Sequence, residues 1–359
     1  MALQRRTEVS PLALALAPLS AIALTLGVAA LLVAWAGAPV RQTFGAMLAG
    51  GFGSIFAWTE TLTRAVPLML TGLAAAVAFK ARLFNIGAEG QLYAGALAAV
   101  AVGGLHGGEA LGPPWLLFPL MLLAAVMAGA LLLLGPALLK ARLGVDEVVT
   151  TLLLNFIVLL GVSALLDGPM KDPLSMGWPQ SVALDAELEL SRLVEGARLH
   201  SGLLLAIGLA LILWLLLRYT VLGFDIRATG ANARAAAFAG VPALRTVITV
   251  AVLSGGLAGL AGAVEVAGRT GYVTLDMSPG YGYSGIVIAM LAGLHPLGVV
   301  AASVFVAGVL VGADAMSRVV GVPTYIADVI VAVSLLAVLV ATMLAQFRWV
   351  SRSAGPTHV

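Results

Sequence analysis

Residues 80–100 read KARLFNIGAEGQLYAGALAAV. The stretch sets Asn85, Glu89 and Gln91, with three glycines, between two apolar runs. Such residues are costly at membrane depth, and irregular backbone is tolerated there only where protein or a water-filled cavity covers it. The glycines read as a place where the backbone turns. Asn85, Glu89 and Gln91 have two readings on the residues alone. They line a permeation path, or they cap and brace the start of the helix that follows.

The rest of the chain makes membrane depth the right frame. Of 359 residues, 61% are hydrophobic and 10% charged, with a mean hydropathy of +1.07. Soluble domains are about 25% charged, so this composition predicts a polytopic membrane protein. Apolar runs fall at 12–34, 65–79, 91–104, 115–134, 148–166, 201–217, 246–266, 284–294, 296–313 and 323–346. The expected fold is therefore an all-α integral membrane protein of about ten transmembrane helices, some of them short or broken. The Gly-rich segment 42–58 reads as a re-entrant or interfacial element. Arg5, Arg6 and the triplet Ala34-Trp35-Ala36 have the look of a signal peptide. The apolar stretch is too long for one, so 12–34 is read as a retained span.

Charge sets the orientation. With ten spans and a cytoplasmic N-terminus, 12 of the Lys and Arg residues lie inside and 7 outside. Three of the outer seven belong to the loop 167–200, which also carries six acids. The positive-inside rule favours this arrangement, with both termini cytoplasmic.

The stretch after Asn85 resembles a second one, DMSPGYGYSGIVIAMLAGLHPLG from Asp276. Each passes from a small polar residue through a Gly-rich turn and an apolar run to Leu-His. They start on opposite sides of the membrane in this topology, which predicts an inverted repeat of 65–166 against 246–346. The organisation that follows has an N-terminal region over residues 1–64, made of a tail, an extra span and the re-entrant element. After it come the first repeat, an outer loop 167–200, a linking span and cytoplasmic loop 201–245, the second repeat, and a cytoplasmic tail 347–359.

Polar residues inside the runs are the remaining site candidates. Asn155 lies mid-span, Glu265 near the end of 246–266, and Asp328 inside 323–346. Each belongs to a substrate or ion pathway, or is a buried hydrogen-bonding group. Tyr281, with Tyr272 and Tyr283, flanks the second Gly-rich turn; the rings stack on a ligand or form the interfacial aromatic belt. In the inner loop, Asn232 is an N-cap, ARAAAFA a helix former, Gly240 a C′ residue and Pro242 a stop. So short a helix needs a surface to dock on, either another protein or the chain's own inner face.

Several chemistries are excluded. With no cysteine, the chain has no disulfide or thiolate metal site. None of its three lysines stands in a phosphate-binding loop, and no H-E-x-x-H or G-x-S-x-G motif occurs. The chain is not expected to be an enzyme or to bind a cofactor.

PLMLTGLAAAVAFKARLFNIGAEGQLYAGALAA at 67–99 resembles the signature of permeases of nucleoside and simple-sugar ABC importers, in the wider branched-chain amino acid and ribose permease family. GFDIRATGANARAAAFAGV at 223–241 resembles the coupling loop of that family. The likeness covers about 45–346, and the extra N-terminal span fits the longer of two paired permeases. The resemblance implies nucleoside import across a bacterial inner membrane by alternating access. It implies a second, related permease subunit, an ABC ATPase that carries ATP and Mg, and a lipid-anchored substrate-binding protein. Asn85, Glu89 and Gln91 match the signature. Gly230, Asn232, Arg234, Phe238 and Gly240 match the coupling segment. A sugar such as ribose or galactose is the alternative substrate. An ion-coupled secondary transporter using Glu265 and Asp328 is the alternative of another class.

Overall fold

The computed structural model describes residues 26–321 without a break, with 2–5, 23–24, 347–350 and scattered positions within 329–341. The described chain is a helical bundle. In order the helices are α1 (Leu26–Trp35), α2 (Val40–Phe52), α3 (Ile55–Lys80), α4 (Ala88–Gly103), α5 (Pro114–Leu143), α6 (Glu147–Asp167), α7 (Gly202–Tyr219), α8 (Val221–Ala231), α9 (Ala233–Phe238), α10 (Ala243–Glu265), α11 (Tyr281–Leu291) and α12 (Pro296–Val320). A π-helical turn, Val266–Thr270, extends α10.

Local sequence explains the boundaries. Pro113 and Pro114 open α5, where a missing N–H costs nothing, and Gly144 closes it in the left-handed region at φ 68°. Asp146 caps α6 by accepting from the Val148 N–H at 2.8 Å. Pro67 sits inside α3, and the Thr71 hydroxyl donates to its carbonyl at 2.9 Å.

Among the described residues six helices are long and apolar enough to cross a membrane: α3, α5, α6, α7, α10 with its π turn, and α12. The runs 91–104 and 284–294 are the shorter helices α4 and α11. The runs 12–34 and 323–346 lie largely outside the described residues. One expectation is corrected. The run 65–79 is the later portion of a helix that begins at Ile55, because Thr59 and Thr63 return their hydroxyls to backbone carbonyls and sit in a helix despite being polar. The segment 42–58 is helical, making up most of α2 and the first turn of α3.

The chain divides into two compact units. In the larger, Ile55–Ala307, α3 and α10 form the centre. The apolar stretch of α3 is 83% buried, against 17% for α6 and 28% for α7, whose exposed Leu and Ile make an apolar outer wall. Small residues let the central backbones meet. A Cβ at Gly262 would fall 1.9 Å from the Leu92 carbonyl oxygen, and one at Gly259 2.2 Å from that of Ala125. The loop 167–200 straps one end of this unit. Its backbone donates from Asp185 to the Gly103 carbonyl, from Leu184 to Gly271 and from Leu190 to Ala267. In the smaller unit, Met1–Ser54 with Gly308–Val359, Ala29 and Val33 pack on Ala313 and Met316. There β1 (Ala2–Arg5) pairs antiparallel with β2 (Phe347–Val350), so the two segments lie side by side.

Candidate functional site

The site is the point where α4 and α11 meet. At a rise of 1.5 Å per residue they span about 24 and 16 Å, and neither crosses an apolar layer of about 30 Å. Both begin inside the bundle. The Thr71 hydroxyl of α3 shares its one proton between the Pro67 and Tyr281 carbonyls, each 2.9 Å away. Thr71 is nine residues short of Lys80, hence about 13 Å from that end of α3. From the junction the two helices run apart. α4 reaches the strap, with Gly104 bridged to Leu184. α11 leads to His295, beside Lys80.

Glu89, on the first turn of α4, joins the two N-termini: its Oε2 accepts from the Gly282 N–H at 2.7 Å. The carboxylate does not cap its own helix, as a capping box would, but the partner helix. Two helix N-termini carry partial positive charge, and a carboxylate between them is favoured by both. Contact is close enough that a Cβ at Gly282 would lie 2.2 Å from the Glu89 nitrogen. Any other residue there would push the half-helices apart.

The segment 84–90 climbs along α6. Phe84 N–H donates to Glu147, Ile86 N–H to the Thr151 hydroxyl at 3.2 Å, and Gly90 N–H to Asn155 Oδ1 at 2.8 Å. Asn155 Nδ2 donates to the Ile86 carbonyl at 2.8 Å and to the Tyr283 hydroxyl at 3.1 Å. One amide thus satisfies an N–H in the first turn of α4 and a carbonyl of the non-helical chain before it. Asn85 and Gln91 pair amide to amide at 2.8 and 2.9 Å, and Asn85 also donates to the Ser254 hydroxyl of α10 at 3.0 Å. All three amide side chains are buried, and the crevice beside Gln91 and Asn155 holds no water-sized space. The chain turns between α3 and α4, yet neither Gly87 nor Gly90 has positive φ. They make room instead, since a Cβ would lie 2.9 Å from Asn155 Oδ1 at Gly90 and 3.2 Å from Thr151 at Gly87. The residue of this stretch in the left-handed region is Arg82, at φ 54°.

On the α11 side, Tyr281 is buried and its hydroxyl has no hydrogen-bond partner among the described residues. The charged groups around it are Glu265, Arg269, Arg64 and Glu89. Glu265 pairs with Arg269 one turn on, and Arg269 also donates to the Met277 carbonyl at 3.3 Å. Glu265 is therefore the buried half of an ion pair, and Arg269 lies in the π turn. Tyr272 and Tyr283 are partly exposed, and Asp328 lies outside the described residues. Thr71, Ser254, Ser278 and Arg269 belong to the same constellation without having been singled out from sequence. Only Arg269, four residues from Glu265, left a readable signal there.

The second candidate element is α9. Asn232 Oδ1 accepts from the Arg234 and Ala235 N–H groups at 3.0 and 3.1 Å, and Gly240 adopts φ 86°. Phe238 is 95% exposed and Arg234 is exposed too. Gly230 is different: it is buried, and a Cβ there would lie 1.8 Å from the Lys80 carbonyl oxygen. It seats α8 on the end of α3 rather than facing outward.

A profile described as branched-chain amino acid transport system / permease component matches residues 57–339. The chain belongs to this permease family. The matched region takes in both half-helices and the α9 loop. The permease is 36% identical over 324 residues to the guanosine ABC transporter permease protein NupP of Bacillus subtilis, covering 89% of this chain and 92% of the relative. It is 37% identical to the glucose ABC transporter permease protein TsgB13 of Haloferax volcanii over 86% of this chain and 82% of that one. It is 33% identical to the nucleoside ABC transporter permease protein NupB of Lactococcus lactis, with 78% of each covered. Family and apolar helices together make it a multi-pass membrane protein and a transport subunit.

Proposed function

We propose that this permease imports nucleosides by alternating access, driven by ATP hydrolysed on a partner ATPase. The observation that carries the substrate class is the identity along 89% of the chain with a permease named for guanosine. The α4–α11 junction bears on the charge of the substrate. In a transporter whose half-helix N-termini hold an anionic substrate, those termini are left open. Here Glu89 already fills the space between them. An uncharged, hydroxyl-rich ligand suits such a site better than the carboxylate of an amino acid. Glucose and other simple sugars are also uncharged, and the relationship to TsgB13 keeps a sugar as the second reading.

In this reading α4 and α11 are the broken helices of an inverted repeat, and the path opens where they separate. Tyr281, whose hydroxyl has no partner among the described residues, borders it with Ser278 and Arg269. Asn85, Gln91 and Asn155 hold the first half-helix against α6 and α10. The capped, exposed α9 docks on the ATPase and passes its closure to α8 and α10. A second, related permease completes the pore, and a substrate-binding lipoprotein delivers the ligand. The membrane is the bacterial inner membrane, with both termini cytoplasmic. No cofactor is needed by this chain; ATP and Mg belong to the partner. An ion-coupled mechanism is the weaker account, because Glu265 is neutralised by Arg269.

The test is mild purification from native membranes, identification of co-purifying proteins, and ATPase assay with the binding protein present. An associated ABC ATPase whose activity rises with guanosine but not glucose is the expected result. Stimulation by glucose alone would move the substrate to the sugar class. A chain that purifies alone in several mild detergents would overturn the ATP-driven reading.

A further inference from the structure

At the Lys80 end of the larger unit lies a pocket of about 480 Å³. Its polar lining is basic: Lys80, Arg218, Arg227 and His295, with no carboxylate among the described residues. Lys80 ends α3, Arg218 is in the last turn of α7 and Arg227 is on α8, so three elements bring positive charge to one cavity. Lys80 and Arg227 are near enough to repel each other, and none of the three has a salt-bridge partner among the described residues. By contrast Lys140, at the same end, is paired with Glu147. Like charges gathered in a half-enclosed space are destabilising unless an anion sits between them. His295 Nδ1 accepts from the Gly298 N–H at 3.4 Å, which leaves Nε2 as the donor nitrogen of the ring.

The walls indicate what kind of anion. Trp214 and Tyr219 line the pocket edge to face, ring centroids 5.8 Å apart, and Arg218 lies over the Tyr219 ring at 5.7 Å. Trp and Tyr of this kind are typical of the boundary between headgroups and acyl chains. Leading to the pocket is the outer face of α7, where Leu211, Ile212 and Leu215 are exposed. A ligand with a phosphate head and apolar tails matches both features, and basic pockets between helices at a membrane surface recognise such heads.

We infer that the pocket formed by Lys80, Arg218, Arg227 and His295 is a binding site for the phosphate headgroup of an anionic phospholipid. The site joins the end of the central helix α3 to α8, which precedes α9. A bound headgroup would therefore tie the bundle to the loop beneath it. The inference does not depend on which substrate the permease carries.

The chain has only three lysines, Lys80, Lys140 and Lys171, so an amine-reactive reagent read by mass spectrometry reports on Lys80 individually. The full-length protein is labelled in nanodiscs of phosphatidylglycerol and of phosphatidylcholine. Lys80 is expected to be protected several-fold in the anionic lipid, with Lys171, in the strap, unchanged. In detergent, native mass spectrometry should find retained phosphatidylglycerol reduced on the order of ten-fold or more in Lys80→Gln/Arg218→Gln/Arg227→Gln. Arg218→Lys/Arg227→Lys should keep it. Equal labelling in the two lipids would overturn the proposal, and that measurement needs no variant to fold. So would equal protection by inorganic phosphate in phosphatidylcholine, which would make the ligand a free anion. Protection that appears only when the ATPase is added would make the pocket a protein-docking face and equally overturn it.

Discussion

Asn155 shows how much one side chain holds in this fold. Its amide serves the Gly90 N–H, the Ile86 carbonyl and the Tyr283 hydroxyl. Asn155→Leu would strand a buried donor and acceptor together. The expected cost is roughly 2–4 kcal/mol, seen as a lowered thermal midpoint in detergent; an unchanged midpoint would mean that water takes over both groups. His200, in the strap just before α7, is a different case. Burial first, and the charge of Arg269 second, push its pKa down to about 4. Nδ1 accepts from the Gly202 N–H at 3.2 Å, and buried Nε2 has no partner among the described residues. The folded state therefore binds a proton less readily than the unfolded one. Stability should be unaffected by this group above about pH 6.5 and fall as pH drops toward 4, by up to about 3 kcal/mol. His200→Gln should flatten that stretch of the profile relative to the parent; parallel profiles would sink the assignment.

Among elements, α9 and α10 make opposite predictions. α9 has its own cap and stop and leaves Phe238 exposed. Phe238→Ala should leave expression and thermal stability unchanged while uptake and substrate-stimulated ATPase fall at least several-fold. Normal uptake by a well-folded variant would remove α9 from the coupling role. α10 meets α4 backbone to backbone, so Gly262→Leu has no space to use. Loss of folded protein from the membrane fraction is expected, and a well-behaved variant would contradict the packing. The caps of α6 and α9 could be read from sequence because they depend on neighbours two and three residues away. The start of α3 could not: Thr59, Glu60, Thr61, Thr63 and Arg64 interrupt its apolar pattern after the first turn, and hydropathy alone places the span ten residues late.

For the whole molecule, the missing cysteines make the α4–α11 junction accessible to experiment. Single cysteines at Ser278 and Ala88, positions buried in this conformation, should react with water-borne thiol reagents during transport and be shielded by guanosine. Inertness at both positions, in a complex that transports, would mean that the half-helices do not separate there. The class of the protein was open to reading from a distance. Ten percent charge, the run of apolar segments and the two Gly-rich motifs pointed to a membrane transporter. The candidate residues of the first motif were also found, but their connections were not.

Composition and local pattern by themselves determined that this chain is helical, multi-pass and without a phosphate-binding loop. Those properties are summed over residues or set within one turn, so position along the chain is enough. Only tertiary structure decided that Glu89 caps a helix nearly two hundred residues away, that Asn85 bonds Gln91 and Ser254, and that Glu265 is neutralised by Arg269. In a chain this apolar, many partners are equally compatible with one polar side chain. The choice among them falls to the backbones that glycine and alanine allow to touch, and that is a property of the packed bundle.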